Sequence, residues 1–269
     1  MRLLAISDLH VRYPANRALV EALPAHPEDW LILCGDLGES EDDLHWVFST
    51  LGPRYAQLIW VPGNHELWTL PRTGAEIRGE ARYAALVRLC RDHGVLTPED
   101  PYPRWPGAGP QTVLAPLFLG YDYSFRPDDV PADQARAWAR EAGLICTDEA
   151  VLHPDPYPDK VAWCHARVRA AEARLDAIPG DCATVLINHY PLLREHAVLP
   201  LVPRFSIWCG TRLTEDWHRR YRASVVVFGH LHIRKTRWKD GTRFEEVSLG
   251  YPRQYTPGDP GQFLRVILP

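Results

Sequence analysis

The chain has 269 residues, of which 46% are hydrophobic, and its formal net charge at neutral pH is −4. A chain of this length and composition can bury one large core, so we expect a single domain over residues 1–269. The lack of a net positive charge argues against a dedicated nucleic-acid-binding protein, and no apolar run is long enough to predict a membrane partner.

Five short apolar runs, each followed directly by polar residues, predict buried strands. The runs cover residues 3–6, 31–34, 58–61, 184–187 and 225–228. The motifs that follow them are Asp8-Leu9-His10, Gly35-Asp36, Gly63-Asn64-His65-Glu66, Asn188-His189 and Gly229-His230-Leu231-His232. Polar residues just past the carboxyl ends of mostly parallel strands converge on one crevice, so side chains far apart in sequence can share a site. Because these residue types bind hard and borderline metal ions, the motifs predict a metal centre.

Helical patterns lie between the predicted strands. Residues 40–51 begin with Ser40 as a capping residue and continue with an acidic first turn and one apolar face. Thr73 and Glu76 form a possible capping box for a helix that runs towards His93, and residues 160–178 carry apolar residues at helical spacing. The alternation of strands and helices favours an α/β fold.

Two regions depart from this alternation. After residue 228, the segments 233–238, 244–249 and 263–268 predict short strands, the first two joined by a hairpin at Asp240-Gly241. Residues 97–158 are rich in Pro, Trp and Tyr and contain one short predicted helix at about 132–142. Long ordered loops in compact domains are usually lids or binding loops, so we expect an inserted substrate-binding or lid segment here. A surface embellishment is the alternative.

The set and order of the motifs resemble the calcineurin-like metallophosphoesterase superfamily, whose signature is Asp-x-His, Gly-Asp, Gly-Asn-His-Asp/Glu, a lone His and Gly-His-x-His. Every ligand position of that signature is filled. The resemblance implies a two-sheet β-sandwich flanked by helices and a pair of metal sites. The first would be held by Asp8, His10, Asp36 and His232, and the second by Asp36, Asn64, His189 and His230. Asp36 would then bridge the two ions.

The ligand types set the chemistry that we expect. Two metal ions held about 3.5 to 4 Å apart can share a bridging hydroxide as nucleophile and neutralise the oxygens of a phosphate ester. Carboxylates, imidazoles and an amide oxygen without thiolates suit two transition-metal ions such as Mn, Fe, Zn or Co. The resemblance implies that His65 is catalytic and gives a proton or a hydrogen bond to the leaving oxygen. Glu66 is expected either to fix a nearby imidazole or to cap a surface helix.

Substrate-binding residues are expected outside the metal centre. In the inserted stretch, Tyr123 and Arg126 follow an apolar run at 113–119 that could be a strand directed towards the cleft. Arginine can grip a second phosphate or a carboxylate, and tyrosine can stack on a base or a sugar. Tyr251 and Arg253 follow a predicted strand just after the last ligand motif, so they are expected at the rim of the cleft.

The predicted function is hydrolysis of a small phosphorylated substrate, with a phosphomonoesterase placed ahead of a phosphodiesterase or a nucleotide pyrophosphatase. A nuclease would call for a basic groove, and a non-catalytic scaffold on the same fold would be expected to have lost ligands. The short distance from the amino terminus to Asp8 leaves no room for a signal peptide, and the six cysteines show no Cys-x-x-Cys pair. We therefore expect a cytoplasmic protein.

Overall fold

The computed structural model describes residues 1–70, 77–256 and 258–269, and the strands of these ranges form two sheets. The strands are β1 (Leu3–Ile6), β2 (His26–Leu33), β3 (Tyr55–Trp60), β4 (Thr112–Pro116), β5 (Ala183–Ile187), β6 (Ala223–Phe228), β7 (Lys235–Lys239), β8 (Thr242–Glu246) and β9 (Arg265–Leu268). The first sheet has the order β3-β2-β1-β9 and the second β4-β5-β6-β8-β7. Both are parallel except for the antiparallel edge strands β9 and β7.

The described part of the chain contains eight α-helices. They are α1 (Pro14–Glu21), α2 (Glu41–Leu51), α3 (Asn64–Leu67), α4 (Gly79–Asp92), α5 (Ala135–Glu141), α6 (Asp148–Val151), α7 (Lys160–Leu175) and α8 (Trp217–Arg220). The two long predicted helices begin at capping residues, since Ser40 accepts the Asp43 N–H and Asp159 accepts the Ala162 N–H. The pair Thr73 and Glu76, expected to cap a helix before His93, lies outside the described residues.

Three apolar cores hold the layers together. The inner faces of both sheets meet in a core that includes Ala5, Ile59, Val185 and Val227. A second core packs the first sheet against helices α1, α2 and α4, and a third packs the second sheet against α7 and α8. The expected α/β architecture, a two-sheet sandwich flanked by helices, is therefore confirmed. Among the described helices, none is long and apolar enough to cross a bilayer.

The two sheets are joined directly at the edge where the ligand motifs begin. Ser7, the residue after β1, forms a parallel bridge with Ser248, which follows β8. The Ser7 N–H donates to the Val247 carbonyl at 3.1 Å, and the Leu249 N–H donates to the Ser7 carbonyl at 2.8 Å. This bridge brings the carboxyl ends of strands from both sheets together.

The inserted stretch at 97–158 does not lie wholly outside the sheets. Its strand β4 pairs in parallel with β5, so residues 112–116 form the edge of the second sheet. The chain after Pro116 carries α5 and α6. Residues 144–148, which lead into α6, line the cleft at which the expected metal ligands lie.

Candidate metal centre

The side chains expected to bind metal converge from both sheets on one cleft. Asp8 and His10 follow β1, Asp36 follows β2, Asn64 and His65 begin α3, His189 follows β5, and His230 and His232 follow β6. Three triplets place potential ligand atoms within 4.8 Å of one another: Asp8 with His10 and His232, His10 with Asp36 and His65, and Asp36 with His189 and His230. Asp36 and His10 each belong to two triplets, and of these two residues Asp36 is the one whose carboxylate has two oxygens that could bind two ions.

The backbone turns sharply at these positions. Asp8, His10, Asp36, His230 and His232 have φ values of 53°, 42°, 54°, 69° and 53°. Residues other than glycine rarely occupy this left-handed region, and those that do cluster at functional sites. The turns after β1, β2 and β6 are therefore strained, and they direct the side chains of these residues into the cleft.

Gly63 and Glu66 fix the loop that carries Asp36. A Cβ atom at Gly63 would collide with the Asp36 carboxylate, so only glycine allows α3 to start this close. The Glu66 carboxylate is fully buried and accepts the N–H groups of Asp36 at 3.1 Å, Leu37 at 2.7 Å and Gly63 at 3.0 Å. Glu66 therefore makes no hydrogen bond to an imidazole; it caps α3, as the second expectation held, but in the interior and not at the surface. It ties the backbone of two ligand loops together.

Hydrogen bonds at Nδ1 orient two of the imidazoles. His189 Nδ1 donates to the Cys34 carbonyl at 2.9 Å, and His232 Nδ1 donates to Gln254 Oε1 at 2.7 Å. Both rings therefore present Nε2 to the site, the arrangement by which proteins fix metal-binding histidines. His232 Nε2 lies 2.9 Å from Asp8 Oδ1, and His189 Nε2 lies 3.4 Å from Asp36 Oδ2.

The amide of Asn64 is oriented by Asp148 in the inserted stretch. Asn64 Nδ2 donates to Asp148 Oδ1 at 3.0 Å, and the Trp68 indole N–H donates to the same oxygen at 2.7 Å. Asn64 Oδ1 is buried and has no hydrogen-bond partner. The carboxylate thus selects the amide orientation in which the oxygen, and not the nitrogen, faces the cleft.

The buried carboxylates remain ionised because imidazoles lie beside them. Burial alone would raise the pKa of Asp8 and Asp36, but His232 next to Asp8 and His189 next to Asp36 hold both values below the usual range. In the same pairs the carboxylates overcome burial and raise the pKa of His189 to about 10 and that of His232 to about 9. Nε2 of each ring can hold either a proton or a cation, so metal binding would release protons.

The other two imidazoles are held neutral. Burial lowers the pKa of His10 to about 3, with His65 adding to the effect, and burial together with His189 lowers the pKa of His230 to about 3. A neutral imidazole offers a lone pair without first losing a proton. His230 Nε2 is buried and makes no hydrogen bond.

His65 lies over the centre between two carboxylates. Its Nε2 is 3.8 Å from Asp36 Oδ2, its Nδ1 is 3.6 Å from Glu39 Oε1, and its ring centroid is 3.7 Å from that of Trp68. Burial disfavours the imidazolium, but Asp36 and the contact with Glu39 outweigh it and raise the pKa of His65. The ring is therefore suited to hold a proton at the cleft.

The donor set fits transition-metal ions. Among the residues expected to bind metal, three ligand-type atoms are buried without a hydrogen-bond partner: Asn64 Oδ1, His189 Nε2 and His230 Nε2. Unpaired buried polar atoms are costly unless an ion or water completes them. Cys34, the nearest cysteine in sequence to a ligand, donates its thiol to the Asn188 carbonyl at 3.3 Å instead of facing the ligand set. Oxygen and imidazole donors without thiolate match Mn, Fe, Zn or Co.

Two of the four residues expected to bind substrate lie in the cleft. Its volume is about 450 Å³, and its lining includes His65, Trp68, Phe205, Tyr251 and Arg253. The Tyr251 ring stacks on His10 with centroids 4.5 Å apart. Arg253 is exposed, with its guanidinium 6.0 Å from the Tyr251 ring, so it can reach a ligand without breaking an existing ion pair.

The structure does not bring Tyr123 and Arg126 to the cleft. The Tyr123 hydroxyl donates to Glu149 Oε1 at 2.9 Å, and Arg126 Nε donates to the Val130 carbonyl at 2.7 Å. Strand β4 ends at Pro116, so the run at 113–119 does not project these residues into the site. Both side chains stabilise the inserted stretch itself.

Three side chains of the site were missed by sequence reasoning. Asp148 and Gln254 orient ligands from loops that carry no recognisable motif. Glu39 lies three positions after Asp36, in the loop that carries this expected ligand. An acidic residue so close to an expected ligand was the one sequence signal that could have identified Glu39 as part of the site.

Comparisons with known proteins agree with this geometry. The model of the calcineurin-like phosphoesterase family matches residues 1–234. The chain is 49% identical over 267 residues to the acyl-carrier-protein phosphodiesterase PptH of Mycobacterium tuberculosis, covering 98% of this chain and 82% of the relative. It is also similar to the crystal structure of the phosphopantetheinyl hydrolase PptH of Mycobacterium tuberculosis, with 48% identity and a TM-score of 0.95. That match covers 100% of this chain and 96% of the other.

Proposed function

This chain belongs to the calcineurin-like phosphoesterase family, and within it we propose a phosphodiesterase that releases phosphopantetheine from acyl carrier proteins. The observation that carries the proposal is the 49% identity, over 98% of the chain, to a relative named as an acyl-carrier-protein phosphodiesterase. It favours the diesterase alternative over the small-molecule monoesterase to which the sequence pattern gave preference. The phosphorylated substrate would then be attached to a protein.

The shape of the cleft supports a diester with two substituents. The cleft is open and is lined on one side by apolar residues, among them Leu144, Ile145, Leu199 and Phe205. A phosphomonoester needs room for one substituent on phosphorus, whereas a carrier-linked diester has a protein on one side and a long arm on the other. An open cleft about 450 Å³ in volume can accept both.

The chain's own residues would hold the cations in two overlapping sets. Asp8, His10, Asp36 and His232 form one set, and Asp36, Asn64, His189 and His230 form the other. Bound metal ions would neutralise the phosphoryl oxygens and make water nucleophilic near neutral pH. Glu66, Asp148 and Gln254 keep the ligand atoms oriented, which lowers the cost of assembling the site.

His65 completes the reaction as the proton donor. Water adds its oxygen to phosphorus and loses a proton to solvent, the ester bond to the carrier protein breaks, and the departing alkoxide takes the proton from the His65 imidazolium, which is then reprotonated from solvent. The products are the carrier protein with a free hydroxyl group and phosphopantetheine. The raised pKa of His65 favours the protonated form of the ring.

The inserted stretch would bind substrate through its cleft-facing part. Residues 144–148 line the cleft, and Asp148 also orients Asn64. This part of the stretch therefore borders the cleft in which substrate would bind, and it also contacts Asn64, an expected metal ligand. We assign the substrate-binding role to residues 144–148 and not to Tyr123 and Arg126.

The test is hydrolysis of a phosphopantetheinylated carrier protein by Mn-loaded enzyme, followed by intact-protein mass spectrometry. The carrier should lose the mass of phosphopantetheine, and the loss should stop with a chelator or with Asp36→Asn. In a parallel screen, each monoester is compared with a diester that has the same leaving group. The enzyme should hydrolyse the diester of each pair faster. An intact carrier combined with rapid monoester hydrolysis would return the assignment to a monoesterase.

A further inference from the structure

We propose that an open groove beside the metal centre binds the acyl chain of acylated carrier proteins. The inference rests on the proposed function, because it concerns the far end of the same substrate arm. It extends that function by a substrate class, since the enzyme would accept carriers whose arm already bears an acyl group.

The groove and the catalytic cleft share one wall. The groove has a volume of about 400 Å³ and is lined in part by Phe125, Trp138, Val198, Leu199, Pro203 and Arg204. Leu199 lines the cleft as well, and so do Val202 and Phe205 from the same segment. Residues along this segment therefore face the two spaces in turn. A flexible ligand that leaves the metal centre past Leu199 enters the groove without crossing the core.

The wall between them reaches the metal site. Phe205 belongs to the short 3-10 helix Pro203–Trp208, and its ring lies 6.4 Å from that of His230. The neighbouring residues Pro203, Arg204 and Ser206 line the groove. One short helix thus contacts a ligand imidazole on one side and borders the groove on the other.

The charged groups around the groove are already paired. Arg204 donates to the Trp138 carbonyl and to Glu141 Oε2, and its guanidinium lies 4.8 Å from the Trp138 ring. Arg194 lies 3.9 Å from Asp128. The remaining lining comes mainly from aromatic, aliphatic and proline side chains. The groove therefore offers mainly apolar contacts to a ligand.

This distribution of polarity selects an alkyl chain as the occupant. The amide groups of the pantetheine arm would lose water in the groove without gaining partners, which is unfavourable. An alkyl chain gains free energy from the same transfer. The cleft itself offers the exposed side chains of Thr147 and Arg253 in its lining and suits the polar arm. Phosphate, polar arm and acyl chain would thus follow one another from the metal ions to the groove.

The first test measures binding without turnover. Pantetheine and its stable S-octyl thioether are titrated calorimetrically into the metal-loaded protein. The octyl compound should bind at least about tenfold more tightly, since burial of a few methylene groups suffices for that difference. Equal affinity of the two compounds would overturn the proposal.

Two exposed positions provide a matched pair of variants. Val198 is 53% exposed and lines the groove but not the cleft, so Val198→Trp should fill the groove and abolish the preference for the octyl compound. Leu201 is 95% exposed in the same segment and lines neither the groove nor the cleft, so Leu201→Trp should leave the ratio of affinities unchanged. A preference that survives Val198→Trp, or is lost equally in both variants, would place the chain elsewhere.

The second test separates this inference from the proposed function. Turnover of a carrier protein is measured with a free thiol and with an octanoyl group on its arm. We expect kcat/KM for the octanoyl form at least equal to that for the thiol form in the wild type, and lower by about tenfold in Val198→Trp. Turnover of the thiol form alone would refute the acyl groove and leave the proposed function standing. If neither carrier is cleaved, the proposed function fails. The ratio of affinities for S-octyl pantetheine and pantetheine then still shows whether the groove binds an alkyl chain.

Discussion

The side chains of Asn64 and Asp148, 84 positions apart, share a hydrogen bond of 3.0 Å from Nδ2 to Oδ1. One residue belongs to a motif of the metal centre and the other to the inserted stretch. The bond makes the orientation of a metal ligand depend on a segment that no ligand motif includes.

Replacement of Asp148 should therefore weaken metal binding. Asp148→Ala leaves the Asn64 amide free to flip, and loss of such an orienting partner typically costs roughly 10–100-fold in metal affinity. Asp148→Asn keeps an oxygen that accepts from Asn64 and Trp68, so it should retain most of the affinity. Calorimetric titration of Mn²⁺ into the metal-free protein measures the difference. Identical losses in both variants would indicate that the charge of Asp148, and not its accepting oxygen, matters.

His65→Ala should separate proton donation from metal binding. His65 lies in a triplet with His10 and Asp36 that has the spacing of metal ligands, so its role as donor needs a direct test. We expect unchanged metal content by elemental analysis and a roughly hundredfold lower turnover of alkyl esters. Esters of nitrophenol, whose leaving group needs little protonation, should lose much less. A drop in metal content would instead identify His65 as a ligand.

Glu39 should control the alkaline side of the pH profile. Glu39 contacts His65 Nδ1 and helps to raise the pKa of that ring, after the larger effect of Asp36. Because the protonated ring is the active form, activity is present below this pKa and is lost as pH rises through it. Glu39→Gln removes a stabilising charge and lowers the pKa of His65, so the alkaline limb of kcat should move to lower pH. Glu41→Gln, an exposed change in α2, is the control, and an unmoved limb in Glu39→Gln would contradict the argument.

Arg253 and Arg126 should differ in their effect on substrate binding. Arg253 is exposed at the cleft, whereas Arg126 is engaged with the Val130 carbonyl within its own loop. Arg253→Ala should raise KM for the carrier protein several-fold and leave kcat and the hydrolysis of a small generic ester nearly unchanged. Arg126→Ala should leave KM for both substrates unchanged. An increase of KM in Arg126→Ala alone would restore the role that its sequence position suggested.

The strand ends were predictable because their signals are local. An apolar run followed by Asp-x-His or Gly-His-x-His predicts both a strand and a metal ligand within about ten residues. Parallel pairing of the strands then brings their carboxyl ends together. The two-sheet sandwich followed from the family resemblance of the same motifs. Helix α1 was not predicted, although Pro14 at its first turn is a common starting signal.

The supporting contacts were not predictable because they depend on tertiary placement. Nothing near Asp148 in sequence distinguishes it from the other acidic residues of its stretch, and its importance follows from complete burial against Asn64. The side-chain directions of Tyr123 and Arg126 were not predictable either, since their residue types suggested ligand binding whereas Tyr123 donates to Glu149 and Arg126 to the Val130 carbonyl. Sequence proximity to a strand end does not determine the direction in which a loop side chain points.

The distribution of the ligands between the two sheets has a mechanical consequence. Asp8, Asp36 and Asn64 extend from the first sheet, and His189 and His230 from the second, so an ion held by both groups is a cross-link between the layers of the sandwich. Sliding of one layer over the other would have to break coordination bonds as well as apolar contacts. Metal occupancy would then govern resistance to unfolding and to proteolysis, in proportion to how tightly the ions bind the folded form over the unfolded one. Starvation for metal would thus reduce the amount of the enzyme as well as its activity.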